Sequence, residues 1–369
     1  MSFAVALVPG DGIGTEVVDE TVRVLAGLEQ LSGGEVAFAF ECFDAGAGAF
    51  ERTGRAMADD VFVACRDADA VLVGALGLPG VCHPDGREAG ADAQFRLRFE
   101  LDLYAGIRPI RLFPGVPTPL AAAGAGIDYV IVRENIEGLY AGRHGGARVE
   151  GEVAADTCLI TRAGTRRIAE QAFRVAARRA GAPAGGGPRV TCVDKANVLA
   201  SYAFFREVAS EVASEHPAIA FEAVYVDAAA LYLVQRPSSF DVVVAENMFG
   251  DILSDLGAAT VGGLGVAPSA DLGDRHGVFQ ACHGSAPDIA GRGTANPAAT
   301  ILSAALMLDW LGERHAHEGA RRAARSLEAA VAQALADGSG RTADLGGKAG
   351  TVGAADAVLT ALAGAWAAA

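Results

Sequence analysis

Asp251 and Asp255 stand four residues apart in the run Asn247-Met-Phe-Gly-Asp-Ile-Leu-Ser-Asp255. On a helix that spacing puts both carboxylates on one face, where they repel unless a cation lies between them, and a hard divalent ion does this well. Alone, the pair reads more simply as solvated acids in a first helical turn. The run Glu246–Gly250 changes that reading, because it follows an apolar strand predicted over 241–245. The acids then arrive at a strand's carboxyl end, the edge where open α/β sheets bind ligands. A second polar run, Asp194-Lys195-Ala196-Asn197, also follows an apolar strand. A lysine near a metal and arginines would have its pKa lowered by like charge and could serve as a general base. In isolation Lys195 could equally be a surface residue. Three arginines complete the set. Arg98 lies on a predicted helix, Arg108 follows the next turn, and Arg133 closes the strand Ile127–Val132. Guanidinium forks suit carboxylates. Three arginines, a lysine and two helix carboxylates together imply a dianionic substrate chelated to a metal. Arg96 falls on the other side of its helix and is expected to pair with Glu100 at the surface.

Two glycine-rich loops are candidates for a nucleotide. Gly10-Asp11-Gly12-Ile13-Gly14 follows a strand and could cradle phosphate, but it is not the GxGxxG of a Rossmann fingerprint, and a tight turn explains it as well. His283–Pro297 is a second loop of this kind, opening onto a helix; a structured connection without a ligand would look the same.

These groups need a frame, and the apolar runs supply one. Strands are predicted at Phe3–Val8, Val36–Cys42, Ala70–Val73, Ile127–Arg133 and Arg189–Val193. Helices are predicted at Thr15–Leu28, Thr165–Ala180, Asn296–Trp310 and Glu318–Ala336. A further strand-helix set covers 221–255. The alternation indicates an α/β fold with a largely parallel sheet. The polar stretch 138–161 reads as an extended arm. At 369 residues, 51% hydrophobic and 20% charged, the chain is a globular protein long enough for two domains. Its formal charge, 30 − 45 = −15, argues against nucleic acid as a partner. No apolar run is expected to reach the ~18 residues of a membrane span, and the segment after Met1 lacks the basic start of a signal peptide. Cys42, Cys65, Cys82, Cys158, Cys192 and Cys282 show no CxxC or metal spacing and are expected to be buried thiols in a reducing compartment, the cytoplasm.

In these residues the chain resembles the β-decarboxylating dehydrogenases, whose members act on isopropylmalate, isocitrate, homoisocitrate, tartrate or malate. The resemblance rests on Val8–Gly14, Arg98 with Arg108-Pro109, Val132–Tyr140, Val193–Leu199, Tyr225–Asp227, Glu246–Asp255 and His283–Pro297. It implies an isopropylmalate dehydrogenase-like two-domain α/β fold with an open, largely parallel sheet that is not a Rossmann fold. A discontinuous cofactor-binding domain would comprise 1–103 and 264–369. A central substrate and dimerisation domain would comprise 104–263, with the arm near 141–161. The family works as homodimers that share their sites. The resemblance therefore implies Mg²⁺ or Mn²⁺ held by Asp251 and Asp255 with Asp227 of a second subunit. Arg98, Arg108 and Arg133 would hold the malate carboxylates, and Gln94 and Phe95 would face the C3 substituent. Tyr140 would be the acid and Lys195 of the second subunit the base. His283, Gly284, Ser285, Ala286, Asp288, Ile289 and Asn296 would line the adenosine, with Asn197 near the nicotinamide. An acid at 288 suits a free ribose 2′-hydroxyl, hence NAD rather than NADP. Lys195 would take the C2 hydroxyl proton as hydride leaves, the C3 carboxylate would depart as CO₂, and Tyr140 would protonate the carbon.

Departures from the family pattern bear on the substrate. Asp92, Gln94 and Phe95 replace polar or basic residues of the isocitrate and homoisocitrate branches, and an acid beside an apolar ring is a poor home for a third carboxylate. This favours an isopropylmalate-like substrate. Asn135, where the isopropylmalate branch usually has Leu, points instead to the isocitrate, homoisocitrate and tartrate or D-malate branch. Gln280-Ala281-Cys282 before His283 is unusual, with no physical account of its effect. A non-catalytic regulatory subunit would lack the tyrosine, the lysine or a metal aspartate, and none is missing.

Overall fold

The computed structural model describes residues 1–121, 124–143 and 145–369. The chain divides into two compact units: residues 1–102, 113–117 and 262–369, and residues 103–112 and 118–261.

In the first unit the strands run in the order Ala37–Cys42, Ser2–Gly10, Ala70–Ala75, Gly277–Gln280, Ala270–Leu272. The first four are parallel and the last is antiparallel to its neighbour. Ala70–Ala75 is buried along its whole length, as a strand covered on both faces must be. Helix Gly14–Leu31 turns Val17, Val18, Thr21, Val24, Leu25 and Leu28 inward, at the spacing that marks its apolar stripe. Its basic Arg23 faces outward and pairs with Asp356 at 2.6 Å. Asp356 sits on a helix that sequence reasoning did not place, Thr351–Ala368. Contrary to expectation, this helix is long and apolar enough by length and composition to cross a membrane. Alanine supplies that apolarity. The helix lays Ala354, Ala355, Val358 and Leu362 against its neighbours Gly14–Leu31 and Glu318–Ala336.

In the second unit the order is Ala105–Arg111, Asp128–Glu134, Val242–Ala245, Arg189–Asp194, Ala220–Tyr225. All neighbours are parallel except the first pair. The antiparallel strand Ala105–Arg111 was not anticipated: Gly106 and Pro109 disguise it. Helix Arg162–Ala177 starts where the Thr161 hydroxyl accepts from Gly164 N, three residues before the expected start. Helices Val226–Gln235 and Asn247–Thr260 pack on each other. Tyr129, Ile131, Val193, Leu233, Val243 and Leu253 form the shared core beneath them. The four parallel strands deliver Arg133, Lys195, Asp227 and Asp251 to one edge of the sheet, at or just past each strand's carboxyl end.

Within the expected arm, Ala147–Val149 and Val153–Ala155 form a two-stranded hairpin whose residues are all exposed; His144 of that stretch lies outside the described residues. None of the six cysteines is in a disulfide, but only Cys65 and Cys192 are buried as expected; Cys158 and Cys282 are half-buried, and Cys42 and Cys82 are exposed.

Candidate active site

The carboxylates of Asp251 and Asp255 share a face of helix Asn247–Thr260, one turn apart, as their spacing predicts. Partial burial, and next the Asp251 charge, push the Asp255 carboxyl above its ordinary range, while Arg108 and Arg133 pull it back. Arg133 is buried, and its Nη1 ion-pairs with Asp251 Oδ1. The hydroxyl of Tyr140 donates to the other oxygen, Oδ2, at 2.9 Å, and the Arg133 guanidinium lies 5.5 Å from the Tyr140 ring centroid. Helix and loop are pinned together from below. Glu246 caps the helix through Met248 N and accepts from Tyr202 OH at 2.9 Å, and Tyr202 stacks on Phe249. Gly138, at φ +78°, leaves room for Glu246: a Cβ there would lie 1.8 Å from its Oε1.

A second cluster joins Lys195 and Asp227, 32 residues apart in the chain, with Nζ 2.7 Å from Oδ1. The lysine holds the Asp227 carboxyl below its ordinary range. Lys195, expected near like charge, has a carboxylate as its ion partner within the chain. Beneath it, fully buried Asp194 takes a two-pronged grip from Arg206, Nε at 2.7 Å and Nη2 at 2.8 Å, and accepts from Ala196 N. Arg206 also covers the Tyr225 ring, two residues before Asp227. One arginine thus ties together the strand ends that carry Lys195 and Asp227. Asn197 is exposed just beyond.

In the first unit Arg98 is buried and bonds Asp271 at 2.9 Å through Nη2. Arg96 pairs with Glu100 at 3.0 Å, as read from its spacing. Phe95 stacks on Phe99 along the same helix, next to Gln94. Asp92 is engaged by His83 at 2.7 Å.

The loop after Gly277–Gln280 is ordered by its own unit. Gly12 packs against the carbonyl of Ser285, and Ile13 N donates to that oxygen at 2.8 Å. Ala286 takes a positive φ of 36°. Ile289 packs with Ile13 and Val17. Asn296 donates to Asp344 at 3.0 Å. Burial lowers the His283 pKa, and its Nε2 is buried without a hydrogen-bond partner. Gly284 and Asp288 are exposed. The Gly10–Gly14 turn has a structural use: the Asp11 carboxylate accepts from Ala47 N, Gly48 N and Gly77 N at 2.7–2.8 Å. Gln280 reaches Gly74 O at 3.4 Å, a long contact that leaves its role unexplained.

The profile of the isocitrate/isopropylmalate dehydrogenase family matches residues 4–359. This chain belongs to that family. It is 43% identical over 357 residues to a 3-isopropylmalate/3-methylmalate dehydrogenase of Methanocaldococcus jannaschii, covering 96% of this chain and 97% of the relative. It is 41% identical to a 3-isopropylmalate dehydrogenase of Archaeoglobus fulgidus, covering 97% and 99%. Among solved structures it resembles isocitrate dehydrogenase from Methylococcus capsulatus, with TM-score 0.84, 36% identity and coverage of 98% and 99%. It also resembles a β-decarboxylating dehydrogenase from Thermococcus kodakarensis, with TM-score 0.76, 39% identity and coverage of 99% and 96%.

In this dehydrogenase, among the described residues, no group of three or more His, Cys, Asp or Glu side chains could hold a metal ion. The donor chemistry of Asp251 and Asp255 fits a hard cation, which one or two carboxylates can hold with water and substrate oxygens. The buried Nε2 of His283 and the nearby Asn296–Asp344 pair likewise fit a polar ligand such as a purine ring. Sequence reasoning missed Asn247, Asp271, Asp344 and Arg206. Asn247 and Asp271 carried one faint signal: each is a polar residue beside or within an apolar strand.

Proposed function

We propose that this dehydrogenase oxidises and decarboxylates a 3-substituted malate of the isopropylmalate kind, with NAD as hydride acceptor and Mg²⁺ or Mn²⁺ as metal. We infer that it works as a homodimer in a reducing, cytoplasmic setting; six cysteines outside any disulfide support the compartment. The observation that carries the substrate is the name shared by relatives 41% and 43% identical over nearly the whole chain. Phe95 supports it by offering an apolar ring one turn before Arg98. Resemblance to an isocitrate dehydrogenase structure and the buried Asn135 favour a tricarboxylate as the second reading.

Roles follow the side chains. Arg98, Arg108 and Arg133 hold the malate carboxylates. Lys195 of a second copy accepts the C2 hydroxyl proton. Tyr140, already a hydrogen-bond donor toward Asp251, returns a proton to C3 after CO₂ leaves. Asp251 and Asp255, with Asp227 of a second copy, would hold the metal, which when bound withdraws electrons at the C2 oxygen. His283, Gly284, Ser285, Ala286, Asp288, Ile289 and Asn296 would line the adenosine, and Asn197 the nicotinamide. The exposed Asp288 would repel a 2′-phosphate, so NAD is preferred to NADP. Residues 1–103 with 264–369 would form the cofactor domain, and 104–263 the substrate and dimer domain. Exposed Leu231 and Val234 on helix Val226–Gln235, which carries Asp227 in its first turn, and Ile252 beside Asp251, support a dimer contact next to both clusters.

The test is NADH formation with Mg²⁺ or Mn²⁺ against 3-isopropylmalate, isocitrate, homoisocitrate, tartrate and D-malate, with NADP in parallel. A kcat/KM for 3-isopropylmalate at least about tenfold above the others is expected. Preference for a tricarboxylate, or for NADP, would overturn the substrate or the cofactor assignment respectively.

A further inference from the structure

Asn247 is fully buried at the first position of the helix that bears Asp251 and Asp255. Its amide has partners at both ends. Oδ1 accepts from Arg133 twice, from Nε at 3.1 Å and from Nη2 at 2.8 Å. Nδ2 donates to the backbone carbonyl of Glu137 at 3.0 Å, three residues before Tyr140. Asn247 and Asp251 are one helical turn apart, so amide and carboxylate share a face.

The consequence lies in how the guanidinium meets Asp251. An arginine facing a carboxylate tends to pair fork to fork, using both carboxylate oxygens. Here the Nε–Nη2 edge of Arg133 is taken by Asn247, and Nη1 is the atom turned to Asp251 Oδ1. Asp251 Oδ2 accepts from Tyr140 instead. The packing admits little else: a Cβ on Gly250 would lie 2.7 Å from Arg133 Cγ. We propose that Asn247 is a positioning residue: it holds Arg133 edge-on so that Asp251 is not consumed by a two-pronged ion pair, and it anchors the segment that presents Tyr140. The inference rests on the function proposed above, and Asn247 itself need not touch substrate.

The two ends of the amide can be separated. Asn247→Asp keeps an acceptor for Arg133 but replaces the donor to Glu137 O. Asn247→Leu removes both. The dissociation constant of 3-isopropylmalate, measured by calorimetry with Mg²⁺ and without NAD, is compared with kcat in each variant. Asn247→Asp is expected to hold that constant within about threefold while kcat falls about tenfold or more, because only the Tyr140 segment is released. Asn247→Leu is expected to weaken binding about tenfold or more and to lower kcat further. Should the leucine variant fail to fold, the split in the near-isosteric aspartate variant decides alone. Wild-type kcat and binding in the folded fraction of the variants, with only a lower Tm, would overturn the proposal. So would an equal change in binding and kcat in Asn247→Asp. If the wild type prefers another hydroxy acid, the substrate assignment fails. The same comparison on the preferred acid still decides Asn247.

Discussion

The cluster around Asp251 and the cluster around Lys195 lie at the same edge of one sheet, yet they are supported differently. Arg133, Asn247 and Glu246 are buried, and they fix Asp251 and Tyr140 through hydrogen bonds on several sides. Lys195 and Asp227 are held at their roots, by buried Asp194 in its pair with the half-buried Arg206, while the Asp227 side chain is 69% exposed. A carboxylate left that open is screened by water and gains little from the less exposed ammonium beside it. The first cluster is fixed within its own chain, and the second is left more open to water. The shared site of the proposed homodimer would cover it.

The largest expected effect tests that difference directly. Lys195→Met and Tyr140→Phe should each lower kcat by about 10²–10⁴-fold, the usual contribution of a general base or acid. If each site draws Tyr140 from one chain and Lys195 from another, dissociating and remixing the two variants should restore about a quarter of wild-type activity. Sites complete within one chain would show no recovery.

Next in size is the root of the second cluster. Arg206→Met strands the Asp194 carboxylate in the interior and should cost about 3–5 kcal/mol in urea unfolding. Tyr202→Phe, under the first cluster, removes one hydrogen bond to Glu246 and should cost about 1–3 kcal/mol. The reverse order would show that the Lys195 side is not anchored by the Asp194–Arg206 ion pair.

A pH effect sharpens the picture of the first cluster. Glu134 is buried and accepts from Ile136 N and Glu137 N, at the start of the segment leading to Tyr140. Burial pushes its carboxyl from 4.5 up to about 7. A group with a raised folded pKa binds more protons folded than unfolded. Its contribution is full below about 4.5 and is lost as pH rises to about 7. The slope is at most about 1.4 kcal/mol per pH unit. Glu134→Gln should flatten that part of the stability curve in unfolding titrations between pH 5 and 8. An unchanged slope would place the titration elsewhere.

The smallest expected effect is at the hairpin. Val149 is exposed, and Val149→Thr should change the unfolding free energy of the dissociated chain by less than about 0.5 kcal/mol. A loss above 1 kcal/mol would mean that the hairpin is packed within its own chain.

Much of this was legible in the residues. Asp251 and Asp255 had to share a face once the segment was helical, Arg96 had to find Glu100, and the alternation of apolar runs with amphipathic stretches specified α/β layers. Less legible was Ala105–Arg111, whose glycine and proline mask a strand paired antiparallel beside its neighbour. The apolar helix Thr351–Ala368 went unplaced because alanine carries little pattern, and its place is set by the helices against which it packs.

What the sequence determined by itself is the inventory and its local spacing: which acids, arginines, tyrosine and lysine exist, and which of them ride together on one turn of helix. Periodicity reaches only a few residues along the chain. The partners decided by tertiary structure are far apart in it: Asp271 for Arg98, Asp227 for Lys195, Asn247 for Arg133, and Asp344 for Asn296. Each of these pairings depends on strand order and on which groups burial leaves in need of a hydrogen bond, and neither is written in local pattern.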